Sequence, residues 1–247
     1  MKVAIMQPTF APWLGYFDLI AEVDRFVFLD DAQVIFKSWH HRNQLFMPNG
    51  QVGWIRAPLK KKGNYGAAIK DMPLDLGSRE WAKLGSTLKH VYQKAPAYDE
   101  LAPVVEVWMS AKSANLAELN TRLIMEVSHR MGFQPEWIFS SALGCPGHRS
   151  GKLLAILKLL GATTYCSARG SFGYMKEDGL FPVSDLEVLF QDFQHPAYRQ
   201  FHSTQFVSHL SILDALFNLG FEGTGRLIQN AGGAWQNWQE REKADKD

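Results

Sequence analysis

Val3-Ala4-Ile5-Met6-Gln7-Pro8 and, one helix-length of chain later, Arg25-Phe26-Val27-Phe28-Leu29-Asp30-Asp31 are the stretches that decide the fold. Each is a short apolar run that stops at polar residues, the signature of a buried strand. Between them Pro12 suits a helix start. Trp13, Phe17, Ile20 and Ala21 recur at helical spacing within Trp13 to Val23. Strand, helix and strand over so short a span predict a βαβ unit and a parallel sheet.

Working outward, Asn43–Met47 and Gln51–Pro58 read as a hairpin around Pro48-Asn49-Gly50. Helices are expected over 78–92, 99–111 and 115–131, with Gly132 as a stop. A strand at Trp137–Phe139 precedes an apolar helix at Arg149–Leu160, which Gly161 ends. Strands at Thr163–Cys166 and Glu187–Phe190 follow, then a helix from Ser208 to Leu219. The expected fold class is α/β: a mostly parallel Rossmann-like sheet with a β-hairpin and a helical insertion around 78–131. Residues 1–236 form one domain in this reading, and 237–247 a charged C-terminal tail.

The chain has 247 residues and a net charge of +1, with 46% hydrophobic and 21% charged residues. Those proportions exclude a mostly disordered chain. Near-neutral charge argues against a generic nucleic-acid or membrane-surface binder, while leaving room for a local basic patch. Two cysteines, Cys145 and Cys166, are too few for a disulfide scaffold. No run approaches the roughly 18 apolar residues of a membrane span, and the N-terminal apolar run is too short for a signal peptide. A cytoplasmic protein is expected, with a small-molecule partner, no nucleic acid and no membrane span. Composition does not fix the oligomeric state.

Parallel sheets bind ligands beyond the carboxyl ends of their strands. Gln7, Asp30-Asp31, Cys166-Ser167 and Gln191-Asp192 all fall there. Adjacent carboxylates can hold a hard cation, orient an amine, or split into one raised and one lowered pKa. Otherwise one caps a turn while the other is solvated. Within Trp39-His40-His41-Arg42-Asn43, Arg42 could grip a phosphate and a histidine could act as base. Neighbours on a strand point to opposite faces, so the two histidines are a poor metal pair. His195-Pro196-Ala197-Tyr198 is either part of a site or a rigid turn with a packed tyrosine. Cys145 near His148 could be a nucleophile, but the flanking Pro146 and glycines read as a turn. Cys166 reads as a small buried residue. Ser167–Gly173 could offer backbone N–H groups to an anion, helped by Arg169. The Lys60–Lys62 run is a solvated loop or a flap over an acidic ligand.

Ile5–Ile20 (Ile-Met-Gln-Pro-Thr-Phe-Ala-Pro-Trp-Leu-Gly-Tyr-Phe-Asp-Leu-Ile), the Phe26-Val27 and Asp30-Asp31 strand, and Trp39–Asn43 together resemble the WbqC-like family of bacterial proteins. His195-Pro196 with Tyr198 and Gln200, and Leu210–Asn218, extend the resemblance to about residues 3–220. His41 falls where the family often has Asn. The family is associated with O-antigen and other surface-polysaccharide gene clusters. The resemblance therefore implies an aminoacyl (glycine-like) or acyl transferase forming an amide on an amino sugar or sugar nucleotide, with an acyl donor as second substrate. Asp31 or His195 would be the base, with Asp30 beside them. Arg42 and Arg169 would hold the diphosphate. Gln7, His41, Asn43 and Tyr198 would contact sugar or acyl groups, and Trp13 or Tyr16 would stack on a ring. A looser likeness to nucleotidyltransferases with an HxGH motif leaves open a metal-dependent enzyme with Asp30 and Asp31 as ligands. Both histidines of that motif are absent here. A non-catalytic sugar-nucleotide binder is the third reading, and the cofactor is left open.

Overall fold

The computed structural model describes residues 1–201 and 203–245. Its main sheet contains β1 (Lys2–Met6), β2 (Arg25–Phe28), β5 (Glu136–Phe139), β6 (Thr164–Ser167), β7 (Glu187–Gln191) and β8 (Trp235–Asn237), after a separate hairpin of β3 (Arg42–Phe46) and β4 (Val52–Arg56). The spatial order is β5-β2-β1-β6-β7-β8. All neighbours run parallel except β7 with β8. The expected α/β class with a mostly parallel sheet and a detached hairpin is therefore observed.

The chain builds outward from β1 to β2 and β5, then returns to β1's other side for β6 and β7. Reversal of winding opens a crevice between β1 and β6, above their carboxyl ends. Alternation along the strands loads both faces of the sheet. Ala4, Phe26, Phe28 and Cys166 face one core, which also takes α1 (Leu14–Ala21), α4 (Leu116–Arg130) and α8 (Ile212–Ala231). Val3, Ile5, Val27, Tyr165 and Phe190 face the other, with α6 (Arg149–Leu160) and α7 (Phe172–Asp178). The Val, Ile and Phe side chains among them each contribute about 1.5–3 kcal/mol on burial.

The helical insertion is observed as α2 (Arg79–Tyr92), α3 (Tyr98–Ser110) and α4. Ser78 and Asn115 cap α2 and α4 with their side chains. Two boundaries differ from expectation. Ser211, not Ser208, caps α8, and α8 runs past Gly220, which takes φ 70° and ψ −179° at a kink. The edge strand β8 closes the sheet, and the charged segment from Asn237 continues into α9 (Trp238–Ala244), opened by an Asn237/Glu240 capping box. Trp238 packs on Phe172 and Phe190 there. Its last two positions, 246 and 247, lie outside the described residues.

Candidate functional site

A cleft of about 740 Å³ opens at the β1/β6 switch point. Gln7 after β1 and Asp31 after β2 form one wall; His148, Arg149 and Lys152 at the start of α6 form the opposite one. Gly170, Ser171 and Tyr174 border it after β6. Gly147, at φ 97°, delivers the chain to α6 so closely that a Cβ there would sit 3.3 Å from the Lys152 amide.

Asp31 and Lys152 are joined by a hydrogen-bonded ion pair on the cleft wall. Ser140 Oγ donates to the other Asp31 oxygen at 2.5 Å. Burial opposes ionisation of Asp31, but the bonds from Lys152 and Ser140 and the lysine's charge outweigh it and lower its pKa. Asp30 lies beneath, 4% exposed. It accepts from Ser140 Oγ (3.1 Å), the Ser141 amide (3.0 Å) and Ser141 Oγ (2.6 Å). Ser140 and Ser141 open α5 (Ser140–Leu143), directly after β5, whose register beside β2 brings them to the acidic pair. Among the described residues no third His, Cys, Asp or Glu joins this pair. Its oxygens face hydroxyl, amide and ammonium donors, and the Lys152 ammonium pairs with Asp31.

Gln7 is fixed from behind: His40 Nε2 lies 3.0 Å from its Oε1, and the Ile35 amide donates to His40 Nδ1 at 3.2 Å. That pair of bonds requires a neutral imidazole with Nε2 as donor. Burial agrees, lowering the His40 pKa to about 4.

Several residues expected at the site lie elsewhere. Asn43 spends its amide on the carbonyls of Phe10 (3.1 Å) and Ala11 (2.7 Å), pinning the Gln7–Trp13 loop. Asn120 and Ser211 pin the same loop through Pro8 and Ala11 carbonyls. His41 is buried, accepts from the Lys37 amide, and has its pKa lowered to about 4 by burial and by Lys61, Arg42 and Arg56. Arg42 packs over the Trp54 ring at 4.1 Å on the hairpin's outer face. Arg169 pairs with Asp192 at 3.0 Å on the surface. Tyr198 donates to the buried Asp214 at 2.7 Å. His195 sits against Trp13, its ring centroid 6.0 Å away, not against Asp31. Each has been taken up by packing or by a nearer partner.

Trp13, Tyr16 and Asn43 instead line a second, smaller pocket of about 290 Å³ with Trp39 and His209; Met6 borders both cavities. Gly15 permits this: a Cβ there would fall 2.4 Å from the Trp13 ring. Tyr16 is buried and donates to the Gln7 carbonyl at 3.1 Å. Among the cysteines, Cys166 is buried, its thiol pushed up to about 12, and Cys145 is half-buried.

Lys152 and Ser140 were not singled out by the sequence as site residues, and His148 only as a neighbour of Cys145. Lys152 looks like one of three cations in a leucine-rich helix, and only the β5-β2-β1-β6-β7 winding turns that helix's first turn toward Asp31. The signal available was the adjacency of Phe139-Ser140-Ser141 to the end of a parallel strand.

Fold and cleft together define a doubly wound α/β protein with a crevice at its switch point. The chain belongs to the WbqC-like protein family, whose pattern it matches over residues 7–225. It is 31% identical over 234 residues to an uncharacterized protein of Mycobacterium tuberculosis, Rv1507c, covering 92% of this chain and 97% of that protein. No solved structure matches the chain. Among the described residues no helix is long and apolar enough to cross a membrane.

Proposed function

We propose that the protein is a transferase that binds a nucleotide-linked amino sugar in the switch-point cleft and joins an acyl or aminoacyl group to its amine. The observation that carries this reading is the cleft itself. Its volume suits a nucleotide-sized ligand. It lies where doubly wound sheets take nucleotides, and the start of α6, with Lys152 and His148, faces it. Gln7, held by His40, offers its amide to a sugar hydroxyl or an acyl oxygen.

Roles follow from protonation. Asp31 is held ionised below the usual carboxylate range, so it is a weak base; its task is to orient Lys152. The Lys152 ammonium faces the negative charge that develops on the acyl oxygen, or a ligand phosphate. His148, on the cleft wall, receives the proton. The amine lone pair attacks the acyl carbon and the C–N bond forms. The bond from that carbon to an ester- or thioester-type leaving group then breaks. The amine's proton passes through His148 to the leaving group.

The test is incubation with nucleoside-diphosphate amino sugars and an acyl thioester, followed by mass spectrometry of the nucleotide. Amide-bearing product that disappears in Lys152→Met supports the reading. Absence of product across uridine, thymidine and guanosine diphosphate sugars, with no thermal stabilisation by any of them, defeats it. A bound ligand at 100 times its dissociation constant stabilises by about 2.7 kcal/mol.

A further inference from the structure

Charge and exposed apolar surface are both concentrated in one part of this nearly neutral chain. From Ala32 to Lys70 there are seven Lys or Arg residues and no Asp or Glu. The same stretch holds Ile35, Trp39, Val52, Trp54 and Tyr65, five of the nine exposed large apolar side chains among the described residues. Ring contacts tie the patch together. Trp39 meets Trp54 at 5.4 Å, and Arg42 covers Trp54 at 4.1 Å. Phe36 meets Tyr65 at 5.5 Å and carries the Lys61 ammonium 5.5 Å above its ring. The Arg42 side chain also donates to the Lys37 carbonyl, which joins the two halves.

The hairpin adds a sharper oddity. Arg42 and Arg56 are register partners across β3 and β4, and neither is in a salt bridge with a described carboxylate. Like charges directly opposite on a strand pair destabilise it. A surface that keeps them, beside exposed tryptophans, is complementary to an external anionic partner.

We propose that this face of the hairpin and its flanking loops docks on an anionic lipid bilayer, as a peripheral contact. Two features choose lipid over nucleic acid. Ile35 and Val52 are aliphatic, 59% and 43% exposed, and offer nothing to stack on a base. The tryptophan and phenylalanine rings are already engaged by one another and by cations, whereas single-stranded nucleic acid needs free ring faces. Exposed Ile, Trp and Tyr among Lys and Arg is the composition of an interfacial anchor, with rings at headgroup level and cations among the phosphates. Trp39 belongs both to this patch and to the smaller pocket, so docking sets that pocket's rim at the bilayer surface.

Vesicle co-sedimentation of the full chain tests this, using phosphatidylcholine alone and phosphatidylcholine with phosphatidylglycerol. Binding to the anionic vesicles only, weakened by salt, is expected. Lys60→Glu/Lys61→Glu/Lys62→Glu should weaken it by about a hundredfold or more, since each cation near the surface is worth roughly fivefold. Ile35→Ser/Tyr65→Ser should weaken it with the charge unchanged. All five positions are exposed, so melting temperatures should hold. The matched control Lys94→Glu/Lys112→Glu/Lys158→Glu, at exposed positions outside the patch, should still bind. The proposal is overturned by no preference for anionic vesicles, by equal loss in the control, or by tighter binding to a single-stranded RNA oligonucleotide than to the vesicles.

Discussion

Asp31 and Asp214 are both carboxylates collected by donors from distant parts of the chain, and they differ in what they leave open. Asp214 is 2% exposed and accepts from Tyr92 (2.8 Å), Tyr198 (2.7 Å) and Gln200 (3.0 Å). Burial raises the pKa of both phenols, so they remain donors. That centre ties α2 and the 198–200 segment to α8. Asp31 has similar donors but shares a wall with the cleft and holds a cation there. A carboxylate closed off by two phenols and an amide is a staple, while under the proposed function one that aims a lysine into a crevice is an instrument. Predictions that separate stability from turnover can break this distinction.

Lys152→Met carries the largest expected effect. It should lower turnover by roughly 10²–10³-fold, the loss of one preorganised charge. Asp31 keeps its Ser140 bond and partial exposure, so the melting temperature should fall only modestly. Unchanged turnover in a folded Lys152→Met would remove the cleft pair from the mechanism. Asp214→Ala should do the reverse, costing about 3 kcal/mol in urea unfolding because two phenols and an amide lose their acceptor. Turnover per folded molecule should survive. If turnover instead collapses at wild-type stability, the 214 centre is functional and the contrast fails.

Asp18 sharpens the comparison. It is buried in α1, where Gln191 donates to its carboxylate at 2.6 Å. Burial raises its pKa to about 6, against a smaller lowering by Gln191. A raised acid favours the folded state when protonated, so its contribution is present at low pH and is lost as pH rises from about 4 to about 6. His40 works the other way. Its folded pKa of about 4 lies below its ordinary value, so its contribution is full above about pH 6.5 and is lost as pH falls toward 4. The two partly cancel in the wild type. Asp18→Asn should therefore lose stability more steeply on acidification, by a difference approaching about 3 kcal/mol across pH 6 to 4. Parallel urea midpoints for the two proteins over that range would show that Asp18 is not desolvated.

What the sequence made legible was set by distance. Val3–Met6, Arg25–Leu29 and Arg149–Gly161 announce themselves because strand runs and a glycine-stopped helix are local. Gln7 and Asp31 were legible because the carboxyl end of a parallel strand is a place that one strand defines. Asn43 was not, since the carbonyls it binds belong to Phe10 and Ala11, more than thirty residues away. Lys152 depends on where a crossover helix lands. Near the C-terminus, charge masks packing: the segment from Asn237 is rich in charged residues, yet Trp238 within it packs on Phe172 and Phe190, contacts that its composition does not announce.

His195 carries the smallest expected effect and the most direct check on that lesson. Sequence chemistry nominates it as a base. The fold instead places its ring among rings: Trp13 at 6.0 Å, Phe206 at 5.3 Å and His209 at 5.3 Å, with Nδ1 3.2 Å from the Pro196 carbonyl. Burial lowers its pKa, opposed in part by the hydrogen bond to the Pro196 carbonyl and aided by His209. It touches neither Asp31 nor the cleft lining, and its contact with Trp13 supports the smaller pocket from behind. His195→Gln should cost about 1 kcal/mol through lost ring contacts and change turnover by no more than a few-fold. His195→Phe, which keeps an aromatic ring, should recover most of that stability. A hundredfold loss of turnover in both variants at an unchanged melting temperature would return His195 to the catalytic step and make the smaller pocket, not the cleft, the place where the proton moves.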